Sequence, residues 1–151
     1  MTTRMRNMTR KLIIALLPVA LLAVTAQPVL ADNWWRDGTD PYSSGCAAAG
    51  SWSVFNPVWT GTGWLRLKFS NGCATAWAEF TCATPGGCNN FTLWANRAPD
   101  GKSMTDWVTW PSTIPNGATL YTLQLFDGGW YSTRACYQGY FGAQTFCTGG
   151  F

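Results

Sequence analysis

The chain has 151 residues, with ten tryptophans, six cysteines, no histidine and a formal net charge of +3. The missing imidazole excludes Ser-His and Cys-His nucleophile pairs, and no G-x-S-x-G elbow occurs. Its basic residues beyond the N-terminus are scattered, which excludes the clustered cationic face that nucleic acid requires.

The first element is an export signal. Arg4, Arg6, Arg10 and Lys11 precede the apolar run from Leu12 to Val24, and Val29 and Ala31 suit the specificity positions of a signal-peptidase site. These three parts predict a secretory signal over residues 1–31, cut after Ala31, with Ala26 as the lesser alternative. The run falls short of the roughly 20 apolar residues that cross a bilayer, so no membrane association is expected after cleavage. Loss of this signal leaves Arg36, Arg66, Lys68, Arg97, Lys102 and Arg134 against seven acidic side chains. The apparent basicity therefore belongs to the leader. Residues 32–151 have the size of one domain, and the expected location is extracellular.

All ten Trp, eight Phe and five Tyr lie in that domain, against six Leu, three Val and one Ile. Its core must be largely aromatic, and each Trp is structural by default. Residues 44–50, "SGCAAAG", allow one helical turn. The remainder predicts strands separated by Asx-Gly turns, which tolerate positive φ. "SWSVFNPVW" comes first. "GWLRLKFS" and "CATAWAEFTC" then flank Asn71-Gly72, and "NFTLWANRA" and "SMTDWVTW" flank Asp100-Gly101. "ATLYTLQLF" and "WYSTRACYQ" flank Asp127-Gly128, and "AQTFC" closes the chain. With Asp37-Gly38 and Asn116-Gly117 as further turns, this predicts an all-β fold of about eight strands. It would be a small antiparallel sandwich or barrel built of consecutive hairpins.

Cys46, Cys73, Cys82, Cys88, Cys136 and Cys147 form an even set in a small exported domain, which predicts disulfides. No C-x-x-C and no histidine support a metal, so neither metal nor cofactor is expected. A strand between Cys73 and Cys82 would hold their sulfurs on the order of 30 Å apart, which forbids that bridge. Pro85-Gly86-Gly87 supplies a turn that lets Cys82 meet Cys88. The other four allow three pairings, of which nearest neighbours favour Cys46–Cys73 and Cys136–Cys147.

Alternation assigns faces. Leu65, Leu67 and Phe69 oppose Trp64, Arg66 and Lys68, while Phe91, Leu93 and Ala95 oppose Thr92, Trp94 and Asn96. Thr105, Trp107 and Thr109 oppose Asp106, Val108 and Trp110.

The motif D-P-x-x-x-G-C at Asp40, Pro41, Gly45 and Cys46 leads to an L-R-L-x-x-S strand at Leu65, Arg66, Leu67 and Ser70. Cys73, Trp77 and Ala78 follow, and Ala135-Cys136 closes the pattern. Over roughly residues 37–136 the chain resembles the YjfA-like family of secreted bacterial proteins, a domain of unknown function. The resemblance implies a secreted domain and supports Cys46–Cys73; it carries no activity. Glu79 stands where relatives often have a basic residue.

The one enzymatic option left is a carboxylate pair drawn from Asp37, Asp40, Glu79, Asp100, Asp106 and Asp127. Turns account for Asp37, Asp100 and Asp127, leaving Glu79 and Asp106 as the only strand carboxylates. Calcium at "DGTD" lacks the six to eight oxygens it prefers. No catalytic residue is assigned. Trp64, Trp94 and Trp107 alternate onto the polar sides of their strands and are the predicted ligand-binding residues. On one sheet surface they would form an aromatic platform for a polysaccharide. The predicted function is non-enzymatic binding of an extracellular or cell-envelope polysaccharide. The alternative is a secreted antagonist (inhibitor or antibacterial) acting through contacts with a secreted or surface protein.

Overall fold

The computed structural model describes residues 34–140 and 144–151; the expected export signal lies outside the described residues. A 3-10 turn, η1 (Trp34–Arg36), precedes ten strands: β1 (Ser51–Ser53), β2 (Val58–Trp59), β3 (Gly63–Ser70), β4 (Thr75–Cys82), β5 (Phe91–Ala98), β6 (Ser103–Val108), β7 (Thr119–Tyr121), β8 (Leu125–Phe126), β9 (Ser132–Gly139) and β10 (Thr145–Cys147). Two antiparallel sheets result. The larger runs β1-β3-β4-β7, with β2 also on β3 and β8 also on β4; the smaller runs β10-β9-β5-β6. They pack as a sandwich and do not close into a barrel, because β6 and β7 end their sheets unjoined. The strands beyond the expected eight are short pieces: β2 and β8 have two residues each.

Asn71-Gly72 and Asp100-Gly101 do join hairpins, β3 to β4 and β5 to β6. Asp127-Gly128 does not. Leu125 and Phe126 pair with β4 in the larger sheet, whereas Ser132–Gly139 pairs with β5 in the smaller one. The dipeptide is thus a crossover between sheets. Its glycine is needed for closeness, since a β-carbon on Gly128 would sit 2.6 Å from Cζ of Phe126.

The core follows the expected alternation. Leu65 and Leu67 from β3, Phe80 from β4, Phe91, Leu93 and Ala95 from β5, and Ala135 from β9 are all 0% exposed. Leu93 pairs with Tyr137, and the rings of Phe80, Phe91 and Tyr137 lie 4.7–5.1 Å apart. Each buried ring contributes about 1.5–3 kcal/mol by leaving water. The core is aromatic, but its aromatics are Phe and Tyr. Of the ten Trp only Trp77 is fully buried, and eight are exposed, which overturns the structural default. A sandwich gap of about 10 Å takes Phe and Leu against Ala76, Ala78, Ala95 and Ala135 more readily than indoles.

Three disulfides staple this frame in the favoured pairing: Cys46–Cys73, Cys82–Cys88 and Cys136–Cys147, with Cα separations of 5.6, 5.8 and 4.2 Å. Among the described residues no helix is long and apolar enough to cross a membrane.

Candidate functional site

Sheet parity builds the outer face of the smaller sheet. On β5, Phe91, Leu93 and Ala95 turn inward, so Thr92, Trp94 and Asn96 turn outward. On β6, Val108 turns inward and Thr105 and Trp107 outward. The register sets Trp94 opposite Thr105 and Thr92 opposite Trp107. The two indoles are therefore diagonal cross-strand neighbours, within reach of one another for rings of this size. On the other flank, Trp94 pairs with Cys136, Thr92 with Gln138 and Asn96 with Arg134. Cys136 pairs in turn with Cys147, so a disulfide continues the row that holds Trp94. Trp107 is 63% exposed and Trp94 half-buried. The face is a pair of indoles framed by hydroxyl, amide and guanidinium groups.

Trp64 does not join them. It lies on β3 of the larger sheet, opposite Trp59 of β2, with ring centroids 4.9 Å apart. Parity placed each of the three Trp correctly on the polar side of its own strand. It could not say that β3 and β5 belong to different sheets, and the single three-Trp platform is corrected accordingly.

The outer face of the larger sheet is covered only along β4, at Thr75, Trp77 and Glu79, by the segment that Cys46–Cys73 ties down. Trp77 is on that face yet 0% exposed, and its Nε1 donates to Glu79 Oε1 at 3.2 Å. Tyr42 donates its hydroxyl to the same oxygen at 2.6 Å. Burial, then the bond to Glu79, pushes the Tyr42 phenol well above its ordinary value. Tyr42 packs on Tyr121 at 4.5 Å, and Tyr121 donates to Asp40 Oδ2 at 3.2 Å. The Ser43 amide, followed by the Tyr42 amide and this hydroxyl, holds the Asp40 carboxyl below the usual range against the opposing effect of burial. Buried Gln124 accepts from Thr75 and donates to Thr39 and Ser44. The D-P-x-x-x-G-C stretch thus supplies a cover whose polar groups are satisfied.

A second polar cluster went unread in the sequence. Arg97 is 0% exposed and donates to Asp37 at 3.0 Å, to Asp100 at 2.6 Å and to the Phe126 carbonyl at 2.8 Å. Its guanidinium also lies 5.0 and 4.6 Å from the ring centroids of Trp34 and Tyr131. Asp37 and Asp100 do sit in turns, but their carboxylates serve this cation. The available signal was parity, since Arg97 continues the inward set Phe91, Leu93, Ala95. Beyond Arg97 and Tyr131, the rings of Trp34, Trp130 and Tyr131 and the glycines 128 and 129 line a hollow of about 550 Å³. Asp127 beside it is 6% exposed, and neither carboxyl oxygen has a hydrogen-bond partner among the described residues. Burial pushes this carboxyl up to about 7, with Thr133 and the charge of Arg97 opposing.

Glu79 and Asp106 lie on different sheets. Asp106 faces a cleft between the free edges of β6 and β7, shared with Asp40, Thr105, Leu120, Tyr121 and Leu123. Among the described residues no group of three or more His, Cys, Asp or Glu is placed to hold a metal ion.

Fold and surface together define a disulfide-stapled antiparallel sandwich that displays indoles on both outer faces. The chain belongs to the family described as "Protein of unknown function (DUF2690)", which matches residues 36–136. It is similar to "Uncharacterized protein YjfA" of Bacillus subtilis (strain 168), with 37% identity over 67 residues. That alignment takes in 42% of this chain and 43% of the relative, so the chain spans less than half the length of the curated relative it matches. No solved structure matches the chain.

Proposed function

We propose that the chain is exported and works as a non-enzymatic binding domain, holding an extracellular or cell-envelope polysaccharide on the outer face of its smaller sheet. The observation that carries this is the diagonal pair Trp94 and Trp107 on a sheet face whose other outward positions include Thr92, Asn96, Ser103, Thr105, Arg134 and Gln138. Indole faces suit the C–H faces of pyranose rings, and short polar side chains around them suit the ring hydroxyls. Two adjacent rings on a pleated surface offer successive contacts to a polymer without enclosing it. The disulfide beside Trp94 stiffens the row and lowers the entropy lost on binding. Three disulfides are consistent with an oxidising compartment, which supports export.

The test is depletion from solution by insoluble peptidoglycan, chitin and cellulose, with soluble fragments of any retained polymer as competitors. Retention by one polymer, reversed by its own fragments, is the expected result. Failure to sediment with any polysaccharide, including envelope material from the producing organism, would remove the reading.

A further inference from the structure

The sandwich is open along one side. The smaller sheet ends at β6 and the larger at β7, with no further strand beyond either among the described residues. Both edges border the cleft of about 480 Å³ described above. A strand edge presents unpaired amides and carbonyls at a two-residue repeat, which is a template for another extended chain. At β6 one such donor is visible: the Trp107 amide is bonded to its neighbour's carboxylate, Asp106 Oδ1, at 2.8 Å.

The charge of the cleft selects among occupants. Asp40 and Asp106 line it, and among the described residues no Lys or Arg does. Asp40 is kept ionised by the amides of Tyr42 and Ser43, which donate to its Oδ1 at 2.7 and 3.0 Å. A second copy of this chain would bring the same acidic edge, and like charges across paired strands repel. Asp106 on the inward side of an edge strand is a known protection against self-pairing of that kind. A basic strand meets no such barrier. Leu120 and Leu123, the latter 44% exposed, offer apolar contact to alternate side chains.

We propose that this cleft binds an extended basic peptide segment, which adds to the β6 edge as a strand. Its backbone carbonyl replaces Asp106 as acceptor of the Trp107 amide, and the freed Asp106 carboxylate, with the Asp40 carboxylate in place across the cleft, pairs with Lys or Arg side chains. β6 has six residues, a length of about 20 Å that a hexapeptide matches.

The experiment uses the oxidised protein and fluorescein-labelled hexapeptides of alternating Lys and Val, of alternating Glu and Val, and of Lys and Val with alternate backbone nitrogens methylated. Anisotropy should show saturable binding of the first, none of the second, and at least a tenfold loss for the third. Asp106→Asn should weaken the first by about three- to fivefold at low salt, as for a partly exposed ion pair. Leu123→Lys, at an exposed position that leaves the fold alone, should weaken it too. Amide resonances of Ser103–Val108 and Thr119–Tyr121 should shift. Equal binding of the methylated peptide would reduce the contact to bulk charge and overturn strand addition. Shifts confined to the Trp94–Trp107 face, or no binding of the Lys-Val peptide at millimolar concentration, would overturn the site. A dimer in sedimentation with β6 protected, or sugar fragments shifting these amides, would give the cleft to another occupant.

Discussion

Arg97 and Asp37 form a buried ion pair between β5 and the segment before the first strand, with Nη1 3.0 Å from Oδ2 and side chains 0% and 3% exposed. Sixty residues apart in sequence, they join the smaller sheet to the N-terminal segment, while the bond from Arg97 to the Phe126 carbonyl reaches the larger sheet. Removing one partner of such a pair leaves an uncompensated charge out of water. Arg97→Ala should cost about 3–5 kcal/mol in denaturant unfolding. Arg97→Lys keeps the charge but cannot serve Asp37, Asp100 and Phe126 at once, so its loss should be intermediate. A change below 1 kcal/mol in the alanine variant would show that Lys102, 2.8 Å from Asp37, compensates alone.

Asp127 gives the stability a pH dependence of unusual sign. Its carboxyl is raised from 3.8 to about 7 by burial. The folded chain therefore binds more protons than the unfolded chain between about pH 4 and 7, and stability falls as pH rises through that window. The difference is at most about 4 kcal/mol. The Thr133 hydroxyl and amide, which lie near the carboxyl without completing a hydrogen bond to it, and the charge of Arg97 oppose the shift. Asp40 and Asp100, both lowered, lose their contribution only below the ordinary carboxylate range and do not confuse the window. Unfolding followed by urea at pH 5 and pH 8 should show the wild type less stable at pH 8. Asp127→Asn should flatten that difference, and a wild type equally stable at both pH values contradicts the assignment.

Which parts of this were legible follows from the range over which each signal acts. Parity along a strand is local, so Leu65, Leu67 and Phe69 on one side and Trp64 on the other could be read directly. Hairpins at Asn71-Gly72 and Asp100-Gly101 are likewise local. The turn at Asp127-Gly128 has the same dipeptide but leads to another sheet, because partner choice is decided by β4 and β5, dozens of residues away. For the same reason Trp94 and Trp107, on one hairpin, share a face that their local pattern announces, while nothing local shows that Trp64 belongs to the other sheet. Tyr42 and Glu79 meet over a separation of 37 residues, and nothing in either local pattern announces the contact. Arg97 is legible from parity, but turn chemistry alone suffices to explain its partners Asp37 and Asp100, which hides the cluster.

The three staples should differ in weight. Restriction of the unfolded chain grows with the loop closed, and the separations are 27 residues for Cys46–Cys73, 11 for Cys136–Cys147 and 6 for Cys82–Cys88. Chain entropy alone gives about 3.5, 3 and 2 kcal/mol in that order. Cys46–Cys73 also holds the cover under which Trp77 is buried, so its loss should exceed the entropic figure. Paired Cys→Ser variants compared by thermal melting should rank accordingly, and Trp fluorescence should shift to the red for the Cys46/Cys73 variant. A largest loss at Cys82/Cys88 would show that native-state packing around that turn, and not loop closure, dominates.

The last prediction separates the two outer faces. If the polymer lies along the smaller sheet, Trp107→Ala should weaken retention by about three- to tenfold, the range expected when one aromatic contact worth about 0.5–1.5 kcal/mol is lost. At 63% exposure the indole contributes little to folding, and the melting temperature should hold within the effect of about 0.5 kcal/mol. Trp94 is half-buried beside Cys136, so Trp94→Phe is the better probe there, keeping a ring in the row while reducing its stacking area. The double variant should lose retention altogether. Trp64→Ala is the internal control: it empties the indole pair with Trp59 on the opposite sheet and should leave retention unchanged. If Trp64→Ala abolishes binding and Trp107→Ala does not, the polymer lies on the larger sheet, and the roles assigned to the two faces must be exchanged.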